Sequence, residues 1–403
     1  MEGVGYAAAM RGLVIAAVLL AGCAPRIEGA EVAELVRASP GAGEELLAGY
    51  LKLVGPARIV GLGVPVAGAQ QVPGMMERGL FAVLVLLRGF SGLALDVDAT
   101  AARALDAYVG GADVDIDAAL VAIGEPFATA EFRATLAWMR DYNVPSGVVE
   151  VGPSLALPEP RPEGAARRRL RVFGLDPRDP DAATAVVLAY LEKVDPAYVP
   201  EARSLLRGDQ LAIDRVLARL DERREAYVEV AAGWVDARQQ AEVTAQARRM
   251  AETWEFEARE FARARNAEWA LAQLDGGRLI IVANNRQIAA EVPGAAPSMG
   301  NFLRQWLAAE YRPIAASYGG GQVRGEGCSV VSVVAAAGSL EAALATGGVA
   351  FALVDLRGRQ GPLVRPQRLH GETLRPAVAF DGIWTIGQVQ PATPLAGGCA
   401  RGG

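Results

Sequence analysis

Asp96 and Asp176 each close a short apolar run, and His370 is the one imidazole among 403 residues. These are the side chains whose types could carry proton chemistry. Two carboxylates can drive hydrolysis when burial or a neighbouring charge raises the pKa of one, so that it acts as acid while the other acts as base. Both aspartates end strand-like segments, GLALDVD and LRVFGLD, and a parallel sheet would bring them to one edge. His370 lies in RPQRLHGET, a polar stretch with Pro and Gly that reads as a surface loop or turn. Imidazole is the natural neutral-pH base. A Ser-His-Asp triad could recruit only this residue, and no GxSxG elbow presents a serine to it.

Other chemistries are poorly represented. Glycines 61, 63 and 68 do not make GxGxxG and no GxxxxGK[ST] occurs, so no phosphate-cradling loop is expected. Gly319-Gly320-Gly321 reads as a turn. There is no CxxC and no His-Cys cluster, so neither a metal nor a cofactor is expected. Cys328 has no local histidine to activate it as a thiolate.

The elements that would position Asp96 and Asp176 follow an α/β pattern. Residues 58–61, 92–97, 170–174 and 279–283 read as buried strands, and 75–88, 99–109 and 182–193 as helices. The strands end in Gly, Asp or Asn, as suits the carboxyl edge of an open sheet, where ligands bind. Residues 153–169 form a loop rich in Pro, Gly and Arg. The stretch 200–274 is almost continuous helical pattern and reads as an insertion, because strand signals resume directly after it. Residues 329–334, 349–356 and 377–388 return to β.

The hydrophobic fraction is 52% with only 6% aromatics, which predicts a core of small aliphatics. A net charge of −6 argues against a nucleic-acid partner. At the N-terminus, Met10-Arg11 precedes an apolar run and then Leu20-Ala21-Gly22-Cys23, which reads as a signal peptide over residues 1–22 ending in a lipobox. Cys23 would become the lipidated (palmitate-bearing) first residue, tethering an exported protein to the cell envelope. Ala24 lacks the acidic character that retains lipoproteins at an inner membrane, so the outer one is expected where two exist. Cys328 and Cys399 are then a candidate disulfide pair, closing a loop of about 70 residues for a stabilisation of about 3–4 kcal/mol.

The segments in order resemble the erythromycin esterase-like family. RIVGLGVPVAGAQQV (58–72), GLALDVD (92–98), PFATAEFRATLAWMRDYN (126–143), LRVFGLDPR (170–178), AREFARARNAEWAL (258–271), RLIIVANNRQIA (278–289) and SMGNFLRQWL (298–307) are similar to successive family motifs. GSLEAAL (338–344), ALVDLRG (352–358) and FDGIWTIGQVQPATP (380–394) continue the likeness to the end. The resemblance implies one domain over 23–403: a layered α/β sheet with flanking helices and a long helical insertion. It also implies hydrolysis of ester or lactone bonds by His and carboxylates in a cleft above the sheet.

The chain departs from that pattern where the chemistry would sit. The family's Gly-Glu-x-x-His-Gly loop is Gly63-Val64-Pro65-Val66-Ala67-Gly68, and Gln70 and Gln71 stand where Arg and Glu are usual. Met-Ala-Glu-Asn becomes Arg263-Ala264-Arg265-Asn266, placing Arg265 at the glutamate, and His-Asn-x-His becomes Asn284-Asn285-Arg286-Gln287. Asp96 stands where the family has a glutamate, Asp176, Arg259, Asn266 and Asn285 match the pattern, and Trp138, Arg140, Tyr142 and Asn143 read as fold-maintaining.

The expected function is therefore an inactive, membrane-tethered binding protein for a polar or anionic ligand. Its cleft would be lined by Gln70, Gln71, Arg178, Arg259, Arg265, Asn266, Asn284, Asn285, Arg286 and Gln287, because Arg presents planar donors to carboxylate or phosphate. A hydrolase rebuilt on Asp96 and Asp176, and a structural envelope protein binding another envelope protein through its helices, stand as alternatives.

Overall fold

The computed structural model describes residues 36, 43–65, 80–144, 168–253, 256–325, 328–348 and 350–398. Eleven strands are β1 (Ile59–Val64), β2 (Phe90–Asp98), β3 (Arg171–Asp176), β4 (Arg278–Asn284), β5 (Tyr311–Tyr318), β6 (Gly320–Arg324), β7 (Val330–Val334), β8 (Phe351–Asp355), β9 (Gln367–Leu369), β10 (Glu372–Leu374) and β11 (Gly382–Ile386). Seven form the central sheet in the order β3-β2-β4-β1-β5-β11-β8. All its pairings are parallel except that of β8 with β11.

A parallel sheet is covered on both faces, and its strands are correspondingly apolar throughout. In β4, Ile280 and Val282 join one core cluster while Leu279, Ile281 and Ala283 join the other. The first face is covered by α1 (Gly43–Val54), α2 (Phe81–Arg88), α3 (Ala102–Val109), α4 (Ile116–Ile123) and α5 (Ala130–Asn143). Two of these helices are started by side chains that accept the orphan N–H groups of the first turn: Asp115 for α4 and Thr129 for α5. Arg140 donates to the carbonyls of Tyr108, Gly111 and Ala112, and Asn143 clasps the backbone of Val109 and Leu170. These contacts hold α5 to α3 and to the start of β3.

The helical insertion starts earlier than its pattern suggests. Helices α6 (Pro180–Val194), α7 (Val199–Leu205), α8 (Gln210–Glu222), α9 (Arg224–Val230) and α10 (Trp234–Thr253) share a core that includes Val187, Leu191, Ile213, Val216, Leu220 and Ala241. The next helix, α11 (Phe256–Ala272), turns Ala264, Ala267 and Leu271 onto the sheet instead. With α13 (Met299–Leu307) and α14 (Leu340–Ala345) it covers the second face, while the single turn α12 (Asn285–Ile288) caps β4.

Two expected stretches differ from the structure, and β5 is a strand beyond those expected, since Pro313 argues against a central position. It nevertheless lies between β1 and β11, with Pro313 opposite Gly61. The stretch expected as β over 329–334 forms a separate antiparallel pair with β6 rather than joining the sheet. The β pattern over 377–388 is interrupted, since Pro376–Ala379 forms a short helix before β11. The helix expected from Met75 is seen from Phe81, and residues 66–79 lie outside the described residues.

Candidate functional site

The carboxyl ends of β2, β3 and β4 meet α11 at one edge of the sheet. Here Asp176 is fully buried and receives three guanidinium groups. Arg178 donates to Oδ2 through Nε at 3.0 Å and Nη2 at 2.7 Å. Arg259 donates through Nε to Oδ1 at 3.0 Å and through Nη2 to Oδ2. Arg263 Nη2 stands 3.4 Å from Oδ2. Burial by itself would raise the Asp176 pKa, but the Arg259 hydrogen bonds and the charges of Arg263 and Arg259 outweigh it, pulling it down to about 2.

Arg263 is the hub of this edge. Its Nε lies 2.9 Å from Asp96 Oδ1 and its Nη1 donates to Glu260, one turn back on α11. The contact with Asp96 is one of charge, because the angle falls outside hydrogen-bond geometry. Glu260 is buried as well, and its Oε2 accepts from the Met299 N–H at 2.9 Å, which ties α13 to α11. Burial raises the Glu260 pKa against the opposing pull of Arg263 and that N–H. Asp96 takes its second partner from α12, the turn after β4, with Gln287 Nε2 donating to Oδ2 at 2.8 Å. Three carboxylates and three guanidiniums thus neutralise one another.

The Asn-Asn-Arg-Gln turn after β4 is mostly structural. Asn284 and Gln287 form a reciprocal capping box at the start of α12. Asn285 reaches across β1 to pair with both backbone groups of Ala316, at 2.8 and 3.0 Å. Gly63 makes this reach feasible, since a Cβ there would lie 2.0 Å from Asn285 Oδ1. Asn266 is buried among Gln239, Gln246 and the Leu175 carbonyl.

The remaining arginines do not form a cationic cleft. Arg265 is exposed on α11 and pairs with Glu268. Arg263 points inward instead, because Glu260, Arg263, Ala264 and Ala267 fall on one helical face. That phase was the available signal for Arg263. Arg286 pairs with Glu372 and covers the Phe256 ring at 4.8 Å. Gln70 and Gln71 lie outside the described residues.

His370 is half-buried rather than a surface residue. It sits at positive φ in the turn between β9 and β10, its ring packed at a tilt of 32° on Tyr318 with centroids 4.4 Å apart. Its Nε2 is 3.3 Å from Ser317 Oγ at the end of β5, but Ser317 has no exposed surface from which to attack a substrate. Burial lowers the His370 pKa, opposed by the charge of Glu341. Cys328 is disulfide-bonded. Cys399 and Cys23 lie outside the described residues. Among the described residues no group of three or more His, Cys, Asp or Glu is placed to hold a metal, and no helix is long and apolar enough to cross a membrane.

An open, mostly parallel α/β sheet with a polar, ion-paired carboxyl edge and a helical insertion defines the class. The family model described as erythromycin esterase matches residues 85–383, and the chain belongs to that family. Among solved structures it is similar to a Bacillus cereus protein, at 19% identity and a TM-score of 0.75, covering 91% of this chain and 99% of that one. It is also similar to a succinoglycan biosynthesis protein, at 18% identity and a TM-score of 0.74, covering 91% and 98%. A mutant of the erythromycin esterase EreC in its open conformation matches at 17% identity and a TM-score of 0.64, covering 86% and 94%. No curated protein sequence matches significantly.

Proposed function

We propose that the chain is a lipid-anchored envelope protein that keeps the erythromycin esterase scaffold without its hydrolytic chemistry and binds a polar, uncharged ligand at the carboxyl edge. The observation that carries this reading is Arg263, 5% exposed, held among Asp96, Asp176 and Glu260. Water activation needs a base with an open lone pair and a pKa near neutrality. Asp176 has its oxygens occupied and its pKa driven down, and Asp96 is engaged by Arg263 and Gln287. The positions that the resemblance assigns to an acid and two imidazoles hold Val64, Asn284 and Gln287.

An anionic ligand is disfavoured for a related reason. Arg178, Arg259, Arg265 and Arg286 each already hold a carboxylate, which an anion would have to displace. A neutral polar ligand needs no such exchange.

The test is hydrolysis of a macrolide lactone and a panel of simple esters by the full chain in detergent, with Asp96→Asn alongside. The expected result is no turnover above the uncatalysed rate. Turnover that disappears in Asp96→Asn would replace this reading with a carboxylate-based hydrolase. Absence of both turnover and ligand would leave the structural envelope role.

A further inference from the structure

A cavity lies where the outer strand β3 meets α3, α10 and α11. Its volume is about 590 Å³, within the usual range of small-molecule sites of about 300–1,000 Å³. Phe173 of β3 and Trp269 of α11 form one wall, packed edge to face with centroids 5.9 Å apart. Trp234 lines another side, its indole N–H spent on the Leu220 carbonyl at 2.7 Å and its ring covered on one side by the Arg224 guanidinium at 4.7 Å.

Two neighbouring amides supply the polar side. Gln239 and Gln240 are 5% and 3% exposed, yet each uses only one end of its amide. Gln240 Oε1 accepts from Thr100 Oγ1 at 2.6 Å, and Gln239 Nε2 donates to Asn266 Oδ1 at 3.0 Å. Gln240 Nε2 and Gln239 Oε1 have no partner among the described residues, and both side chains line the cavity. One open donor and one open acceptor are thus held in place by their anchored halves, so little side-chain entropy remains to be lost on binding. Both open amide ends are reached by solvent through the cavity, and a ligand hydroxyl can take the place of that water.

The charges around the cavity cancel. Arg103 pairs with Asp236 at 2.6 Å and Arg171 with Asp106 at 3.1 Å, so no counter-charge is left for an ion. Aromatic walls, an open amide donor and acceptor, and balanced charge together fit a ring with an apolar face and hydroxyl groups around its rim. We propose that this cavity binds a neutral saccharide unit, with Trp269 against the sugar face and Gln239 and Gln240 on its hydroxyls.

The experiment uses the full chain in a zwitterionic, sugar-free detergent. Tryptophan fluorescence and saturation-transfer NMR follow titration with glucose, galactose, N-acetylglucosamine and cellobiose, with glucuronate as the charged comparison. At least one neutral probe should saturate below about 10 mM. Its affinity should fall at least about tenfold in Gln240→Met, which keeps the side-chain shape but removes the amide. Because Gln240 also anchors Thr100, Trp269→Phe serves as an independent variant and should weaken the same probe, while the surface variant Arg215→Ala should not. Three results would overturn the assignment: no saturable neutral probe, binding indifferent to both cavity variants, or glucuronate preferred over glucose.

Discussion

The Arg263 guanidinium lies 2.9 Å from the Asp96 carboxylate while its other nitrogens face Asp176 and Glu260. One side chain therefore joins the ends of two strands to the helix above them. A buried pair of this kind gains little over an apolar substitute, but removing one partner strands the other charges.

Arg263→Met should accordingly destabilise the fold by about 3–5 kcal/mol, because three carboxylates would then share only Arg178 and Arg259. Urea unfolding of the full chain measures this. A loss below about 1 kcal/mol would mean that the edge relaxes around the charges and that Arg263 does not organise it.

Acid should weaken the same edge through Asp176. Its pKa is lower folded than unfolded, so the unfolded chain binds the proton more readily and stability falls as pH drops from the ordinary carboxylate range to about 2. The contribution is about 2 kcal/mol. Glu260 acts in the opposite sense, since its raised pKa favours the folded state as pH falls through that value. Comparing the pH dependence of unfolding for the parent and Asp176→Asn isolates the first effect, and parallel curves would contradict it.

His370 offers a direct reading of its surroundings, because as the one imidazole its ring protons need no assignment. Its NMR titration midpoint should lie below the unperturbed value of about 6.5. Folding stability should then decline as pH falls below that value, where the unfolded imidazole protonates first. In Glu341→Gln the midpoint should move lower still, since the carboxylate is the influence that raises it. A midpoint at or above about 6.5 in the parent would show the ring to be solvated.

Lipid anchoring rests on the residues around Cys23. Cells grown with labelled palmitate should label the parent protein and not Cys23→Ser, and the variant should leave the membrane fraction. Equal labelling of both would place the anchor elsewhere or remove it from the account.

The strands were legible wherever burial on both faces leaves a continuous apolar run. RIVG, GLALDV and LIIVA each contain or overlap a sheet strand because their apolar residues are covered from one side or the other. β5 carries a weak strand pattern because Pro313, Ala315 and Ala316 between Tyr311 and Tyr318 lack the β-branched signature. At the site, Asp96 and Asp176 were found from their places at strand ends. Arg263 gives a weaker signal than Arg265, which the resemblance sets at a glutamate position of the linear motif. Only the rotation of α11 sends the first inward and the second to solvent.

Read alone, the chain establishes an α/β protein with the motif order of the erythromycin esterase family and a single histidine. Periodicity and strand-end residues are local properties, and they are written in consecutive letters. Which charges neutralise one another, and which amide ends stay open, depends on contacts between segments far apart in the chain. That Arg263 closes over Asp96 and Asp176, and that Gln239 and Gln240 face a cavity beside Phe173, follows from how α10 and α11 pack on the sheet.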